Sequence, residues 1–354
     1  EFTANLVRDL GDAIRPHIQE LWDAHGAKVK EAEPTGSGTT PPSPPPPPTA
    51  TAGVPEPPKP KTALDFAKEA SYVARGLKLG ADVGALLRQG AEMAVNDPIQ
   101  WVKSVGTGLS KTDKAKLAKH YQMLEERSIN GNKMSDVRKA AGLKISSADA
   151  EEPFASKLFD KVPVLNKLEN FQKAFLDSGR IERFDSFYRK FPDATEKELK
   201  QYAAYLNSAM GKSNVSRVPE LLEVVMTAPR WTSSRWEMAG RLMASPVTVT
   251  KALRGNKAAM QEAKNLGRYA MAMYGALKVA ESQGATVEFD PRSSDFLKMR
   301  VGEKVFDPTS GVAAPIRTSL RMMLFARGEG SFNANAATEL GKVVTNTSHP
   351  VNTT

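Results

Sequence analysis

The 354 residues carry 49 Lys+Arg against 40 Asp+Glu, a formal net charge of +9, with no cysteine and only four histidines. That balance favours polyanions or anionic membrane surfaces as partners and says nothing about fold. Disulfides, thiolate catalysis and Cys-bearing zinc sites are excluded, and His17, His25, His120 and His349 are too scattered for a His-based metal site or a serine triad.

Residues 3–30 place Leu6, Leu10, Ile14, Ile18 and Leu21 near helical spacing, with Pro16 as a kink or a division. The segment 1–33 is therefore expected to be helical, opening at Glu1 as a processed product or a piece of a longer polypeptide. No charged-then-apolar leader pattern follows, and no run of about 18 apolar residues occurs anywhere. Residues 34–61 are dominated by proline, which withholds backbone donors and leaves few apolar side chains to offset ordering entropy. They read as a stiff polyproline II linker.

From Thr62 to about residue 145 the period is helical. Thr62 caps a first helix carrying Leu64, Tyr72 and Leu77, and ADVGALLRQGAEMAV continues until Asp97-Pro98 forces a break. A third helix opens near Asp97 and is expected to fray at Gly106-Thr107-Gly108; a fourth begins at Ser110. Asn130-Gly131-Asn132 turns the chain before a short helix from Ser135 to Ala141. Residues 146–228 form an aromatic-rich helical subdomain. Phe154, Leu158, Phe171, Phe175, Ile181, Phe184 and Phe187 recur at spacings that bring aromatic faces into a core. Glu196 to Met210 is a further helix stopped by Gly211, and Val218 to Met226 a short one.

Residues 229–328 are a basic helical subdomain. A helix from Asn256 to Gln283 is rich in alanine, methionine and glycine, and Ala259, Ala263 and Gly267 repeat a small residue every four positions, as a close helix-helix seam requires. Leu297, Met299 and Val301 alternate with Lys298 and Arg300, Gly302-Glu303 suits a two-residue turn, and Lys304 to Phe306 returns as a second strand. Arg317 to Arg327 is a last basic helix, and residues 329–354 read as an extended tail. The fold class is mainly α: multi-helix bundles with one short β-hairpin near 296–307 and a Pro-rich linker.

Little here carries catalysis. Gly211-Lys212-Ser213 has the letters of a phosphate-binding loop, but Leu206 stands where the loop needs glycine and no strand precedes it. The carboxylates Glu151-Glu152 and Asp290 to Asp295 have no histidine or patterned third ligand beside them. No catalytic, cofactor or metal residue is assigned.

The basic zone is more informative. Between Met226 and Arg268 stand eight Lys/Arg and two Asp/Glu, a local net charge of +6. Arg230, Arg235, Arg241, Lys251, Arg254 and Lys257 are the candidate contacts to DNA or to a partner, and Trp231 and Trp236 the candidate stacking or interface aromatics. Ala259, Ala263 and Gly267 are the candidate seam between subunits. A local account competes: Ser234 and Glu237 as a capping box, Trp236, Gly240 and Met243 on one face, and the arginines on the other.

Several blocks then occur in a collinear series. They are GLKLGADVGALLRQGAEMAVNDPIQW (76–101), EEPFASKLFDKVP, GRIERFDSF, YAAYLNSAMGKS, TAPRWTSSRWEM and VEFDPRSSDFLKMRVGEKVFDPTSGVAAPIR. This order resembles the shared helical region of the large polyvalent proteins of tailed bacteriophages and prophages. It is especially similar to the internal virion proteins that some short-tailed phages eject with their DNA. The resemblance spans about Leu64 to Arg327.

It implies a segment of a modular protein stored in the virion interior and acting at the host cell envelope. The implied role is non-enzymatic: a homo-oligomeric channel for the genome, with other ejection, portal or tail proteins and genomic DNA as partners, and the host membrane reached through the oligomer. The peptidase, nuclease, transferase and polymerase motifs of polyvalent chains are not visible in these residues. The alternative is a DNA-binding accessory region of an injected polyvalent enzyme, and a third class is a hydrolase with an unrecognised carboxylate site.

Overall fold

A computed structural model describes residues 84–146, 163–214 and 229–326. The expected helix over 3–30, the Pro-rich linker, the Thr62-capped helix, Phe154 and Leu158, the Glu151-Glu152 pair, the helix over 218–226 and the tail lie outside the described residues.

The chain is mainly α. In order, the described elements are α1 (Gly84–Asn96), α2 (Pro98–Ser110), α3 (Lys114–Glu125), the strands β1 (Ser128–Ile129) and β2 (Asn132–Lys133), and α4 (Met134–Ala140). Then come α5 (Pro163–Lys190), α6 (Glu196–Ala209), α7 (Pro229–Met243), α8 (Ser245–Leu253) and α9 (Lys257–Ser282). The strands β3 (Thr286–Val287), β4 (Met299–Val301) and β5 (Lys304–Phe306) precede α10 (Ala313–Ala326).

Local chemistry sets most of these boundaries. Asp97 ends α1 and caps α2, its Oδ1 accepting from Gln100 N at 3.0 Å, with Pro98 at the first helical position where no donor is needed. Asp113 caps α3 through bonds from Ala115 N and Lys116 N. Thr195 and Glu198 form a reciprocal capping box at the start of α6. Asn256 caps α9 by accepting from Ala259 N at 2.6 Å. The β4–β5 hairpin pairs Val301 with Lys304 across the Gly302-Glu303 turn, the register read from the alternation. β3 joins β4 through Thr286–Arg300 and Val287–Met299. That third strand is too short to show a period, and so is the β1–β2 hairpin across Asn130-Gly131, both in positive φ.

Three of these boundaries differ from the sequence expectation. α2 does not fray at Gly106 but runs to Ser110, and α3 begins at Lys114. Gly108 is a point of close approach: a Cβ there would stand 2.9 Å from the Phe171 ring, so glycine lets α2 lie against α5. α10 begins at Ala313, earlier than Arg317, with Pro315 in its first turn where it removes no helical bond.

α5 is the central strut. Over its 28 residues Phe175, Ile181, Phe184 and Phe187 are buried, and Phe187 stacks on Tyr202 of α6 at 4.2 Å between centroids. Each fully buried apolar side chain of this size contributes about 1.5–3 kcal/mol. One hydrophobic cluster takes in Met93, Leu124, Phe184, Leu206, Met238, Leu266 and Val312, drawn from all three expected helical subdomains.

A candidate polyanion and assembly interface

The basic zone folds as α7, α8 and α9, and its cations divide into those spent on the fold and those left outside. Arg235 is 2% exposed. Its Nη2 donates to Ser208 O at 2.9 Å and to Ala209 O at 3.3 Å, closing the carboxyl end of α6 where carbonyls lack helical partners. Burial pulls its pKa below the ordinary arginine value. Arg235 is therefore corrected from surface contact to interior cap, because a guanidinium enclosed in this way reaches no polyanion. Arg241 donates to Glu262 at 2.5 Å, and Lys257 pairs with Asp193 at 2.5 Å. Lys251 and Arg254 are exposed; Arg230 lies on α7 with its side chain outside the described residues.

The aromatic residues also have internal duties. Trp231 is wedged between the end of α6 and the turn before α10. A Cβ on Gly311 would stand 2.8 Å from its Cη2, and one on Gly211 3.2 Å from its Cδ1. The Arg235 guanidinium sits 5.6 Å from the Trp231 ring centroid. Trp236 is half-buried.

Ser234 and Glu237 do not form a capping box, because α7 starts at Pro229 and both lie inside it. Ser234 Oγ donates back to Trp231 O at 2.6 Å. Glu237 instead accepts from Ser213 Oγ and Asn214 N, both at 2.7 Å, and so ties the loop after α6 to α7. The phosphate-loop letters resolve the same way: Gly211, at φ +83°, is the left-handed stop of α6, with Lys212 N donating to Asn207 O.

The small-residue line on α9 crosses from inside to outside. Ala259 is buried and Ala263 half-buried, whereas Gly267 is exposed, and a Cβ on it would meet nothing within 4 Å.

Beneath the basic zone lies a charged interior that periodicity did not reveal. Glu92 of α1 receives a bidentate pair from Arg183 of α5, one arm of which is 2.9 Å, and a bond from Tyr205 Oη of α6. Asn96 Nδ2 adds 2.9 Å to Glu92 and 3.1 Å to Asn265 O of α9. Burial alone would lower the Arg183 pKa, but attraction and hydrogen bonds from Glu92 outweigh it and hold it well above the ordinary value. A second cluster joins Asp185 to Arg138, at 2.9 and 2.5 Å, and to Arg127 at 2.9 Å. In both clusters the oppositely charged partners lie on different helices or loops, more than forty residues apart in sequence. The one available signal was GRIERFDSF itself, whose charges are not gathered on one helix face.

No family model, curated protein or solved structure matches this chain.

Candidate chemistry remains sparse. His120 Nε2 lies 3.2 Å from Ser178 Oγ, and burial, then Lys111, lower its pKa. Asp177, beside Ser178, gives its carboxylate to Tyr121 Oη, Ser146 N and Arg180, so the third member of a polarising triad is committed elsewhere. Asp295 is taken by Arg300 at 2.8 Å. Among the described residues no cluster of His, Asp and Glu could hold a metal ion, and no helix is long and apolar enough to cross a membrane.

Proposed function

We propose that this chain is an internal virion (ejection) protein of a tailed, short-tailed bacteriophage, or a segment of one, which assembles into a multimeric channel conducting the genome across the host envelope. The observation that carries the reading is where the resembling blocks go. Glu92, Arg183, Tyr205 and Arg235 come from four of them and lock α1, α5, α6 and α7 together in the interior. These four side chains are enclosed and hold the helices to one another. Apolar side chains left outside supply surfaces for lateral docking: Ile99, Val102 and Leu109 are all more than 60% exposed on one side of α2.

The second reading, a DNA-binding accessory region of a polyvalent enzyme, draws on the exposed cations of α8 and α9. Electron microscopy of the purified chain separates the two. Hollow symmetric rings or tubes are expected; a monomer at every concentration that binds single-stranded DNA tightly would sink the channel.

A further inference from the structure

Helix α8 is packed with its aliphatic side outward. Ser245, Thr248 and Ala252, at helical spacing, turn inward, while Pro246, Val249 and Leu253, at the same kind of spacing, face solvent. Leu253 is 84% exposed and Val247 57%. A helix settled in a soluble bundle buries its aliphatic stripe instead. After the turn at Gly255, α9 presents an outward line at alternating steps of four and three: Met260, Lys264, Gly267, Met271, Tyr274 and Lys278. Met271 is 69% exposed. This line extends about 27 Å along one helix.

Outside, the charge on these two helices is positive except for Glu281 in the last turn of α9, which Lys278 engages. Between Ser245 and Ala280 the single carboxylate is Glu262, which is buried and engaged by Arg241 and Gln201. Lys257 and Lys278 pair with Asp193 and Glu281. Among the described residues Lys251, Arg254, Lys264 and Arg268 have no carboxylate partner.

Three occupants differ in what they satisfy. A second copy meeting this face with its own would set cation against cation. Nucleic acid would answer the charges but leave the α8 aliphatic stripe against a hydrated phosphate backbone. An anionic lipid surface answers both, since phosphates take the cations and the acyl boundary takes Val249, Leu253 and Met271.

We propose that the α8–α9 surface docks on an anionic lipid bilayer, lying along it without spanning it. The proposal deepens the envelope-stage reading above and rests on it for its biological setting.

The test is co-sedimentation of the full chain with vesicles containing phosphatidylglycerol, and with vesicles of phosphatidylcholine alone. Binding is expected only to the anionic set. Lys264→Gln with Arg268→Gln should lower partitioning about 25-fold, roughly fivefold per charge. Leu253→Ser with Met271→Ser should lower it at least about tenfold. All four positions are exposed, so circular dichroism and melting should match the parent. Absence of vesicle binding overturns the proposal. Duplex DNA binding that survives the Leu253–Met271 change without vesicle binding also overturns it, assigning the face to nucleic acid. A dimer that dissolves on that change without vesicle binding does the same, assigning it to self-association. Rings seen without vesicle binding sink the lipid surface and leave the channel standing; vesicle binding by a chain that never assembles does the reverse.

Discussion

Glu92 sits 2% exposed with a guanidinium, a phenol and an amide converging on its two oxygens. A buried ion pair is weak evidence of net stabilisation, because two charges leave water to form it, but losing one member strands the other. Glu92→Ala should therefore cost about 3–5 kcal/mol. Thermal unfolding should show a drop on the order of 10 °C. Lys200→Ala, which removes only the exposed pair with Glu196, should leave the midpoint where it was. A Glu92→Ala protein that melts with the parent would mean the pair is not enclosed.

The same interior holds tyrosines that resist ionisation. Burial, the leading cause for each, pushes Tyr202 and Tyr269 up to about 12. The folded state then holds protons that the unfolded chain releases near pH 10, so this stability is complete below about pH 10 and is lost as pH rises toward 12. Each tyrosine should withdraw about 2–3 kcal/mol across that window. An alkaline titration followed by phenolate absorbance and far-UV circular dichroism should show these ionisations coinciding with unfolding. Phenolate formation by these two residues with native dichroism would contradict the burial.

At the scale of elements, the junction of α6, α7 and α10 turns on Trp231 pressed between two glycines in left-handed conformation. Trp231→Ala would loosen this junction, so it is a poor probe of assembly. Gly267 is the better one, because the α9 helix is open above it. Gly267→Ala removes the glycine penalty in a helix interior and should stabilise the isolated unit by up to about 1 kcal/mol. If α9 also lies against a neighbouring subunit at that point, the added methyl should weaken assembly while raising the melting point. Melting and sedimentation of the same variant read the two effects separately; a fall in melting point would show that Gly267 is packed within the chain.

For the whole molecule, the net charge of +9 does not say which cations a partner meets. Arg235 is enclosed and Arg241, Lys257 and Lys278 are held in ion pairs, leaving Lys251, Arg254, Lys264 and Arg268 as the exposed cations of α8 and α9 with no carboxylate partner among the described residues. If the accessory reading held, four phosphate contacts would give single-stranded DNA affinity a log–log salt slope of about −2.8. The channel reading expects a shallow slope, with assembly persisting as salt rises. Titrating DNA at several salt concentrations, alongside microscopy of the same preparation, measures both.

Most helix positions were legible in the sequence because they depend on neighbours a few residues apart: the Asp97-Pro98 break, the Gly211 stop and the Gly302-Glu303 turn are local chemistry, whereas α8 and the starts of α7 and α10 were not read. The mainly α class follows from the same short-range period. What each charged or aromatic side chain does was not legible, since nothing in the residues beside Arg235 or Arg254 says which of them is enclosed. Only the packing of α6 against α7 sends the first inside to cap a helix, and only the packing of α8 on α9 leaves the second in water beside an exposed leucine. Burial is set by contacts between separate elements, and those exist only once the chain has folded.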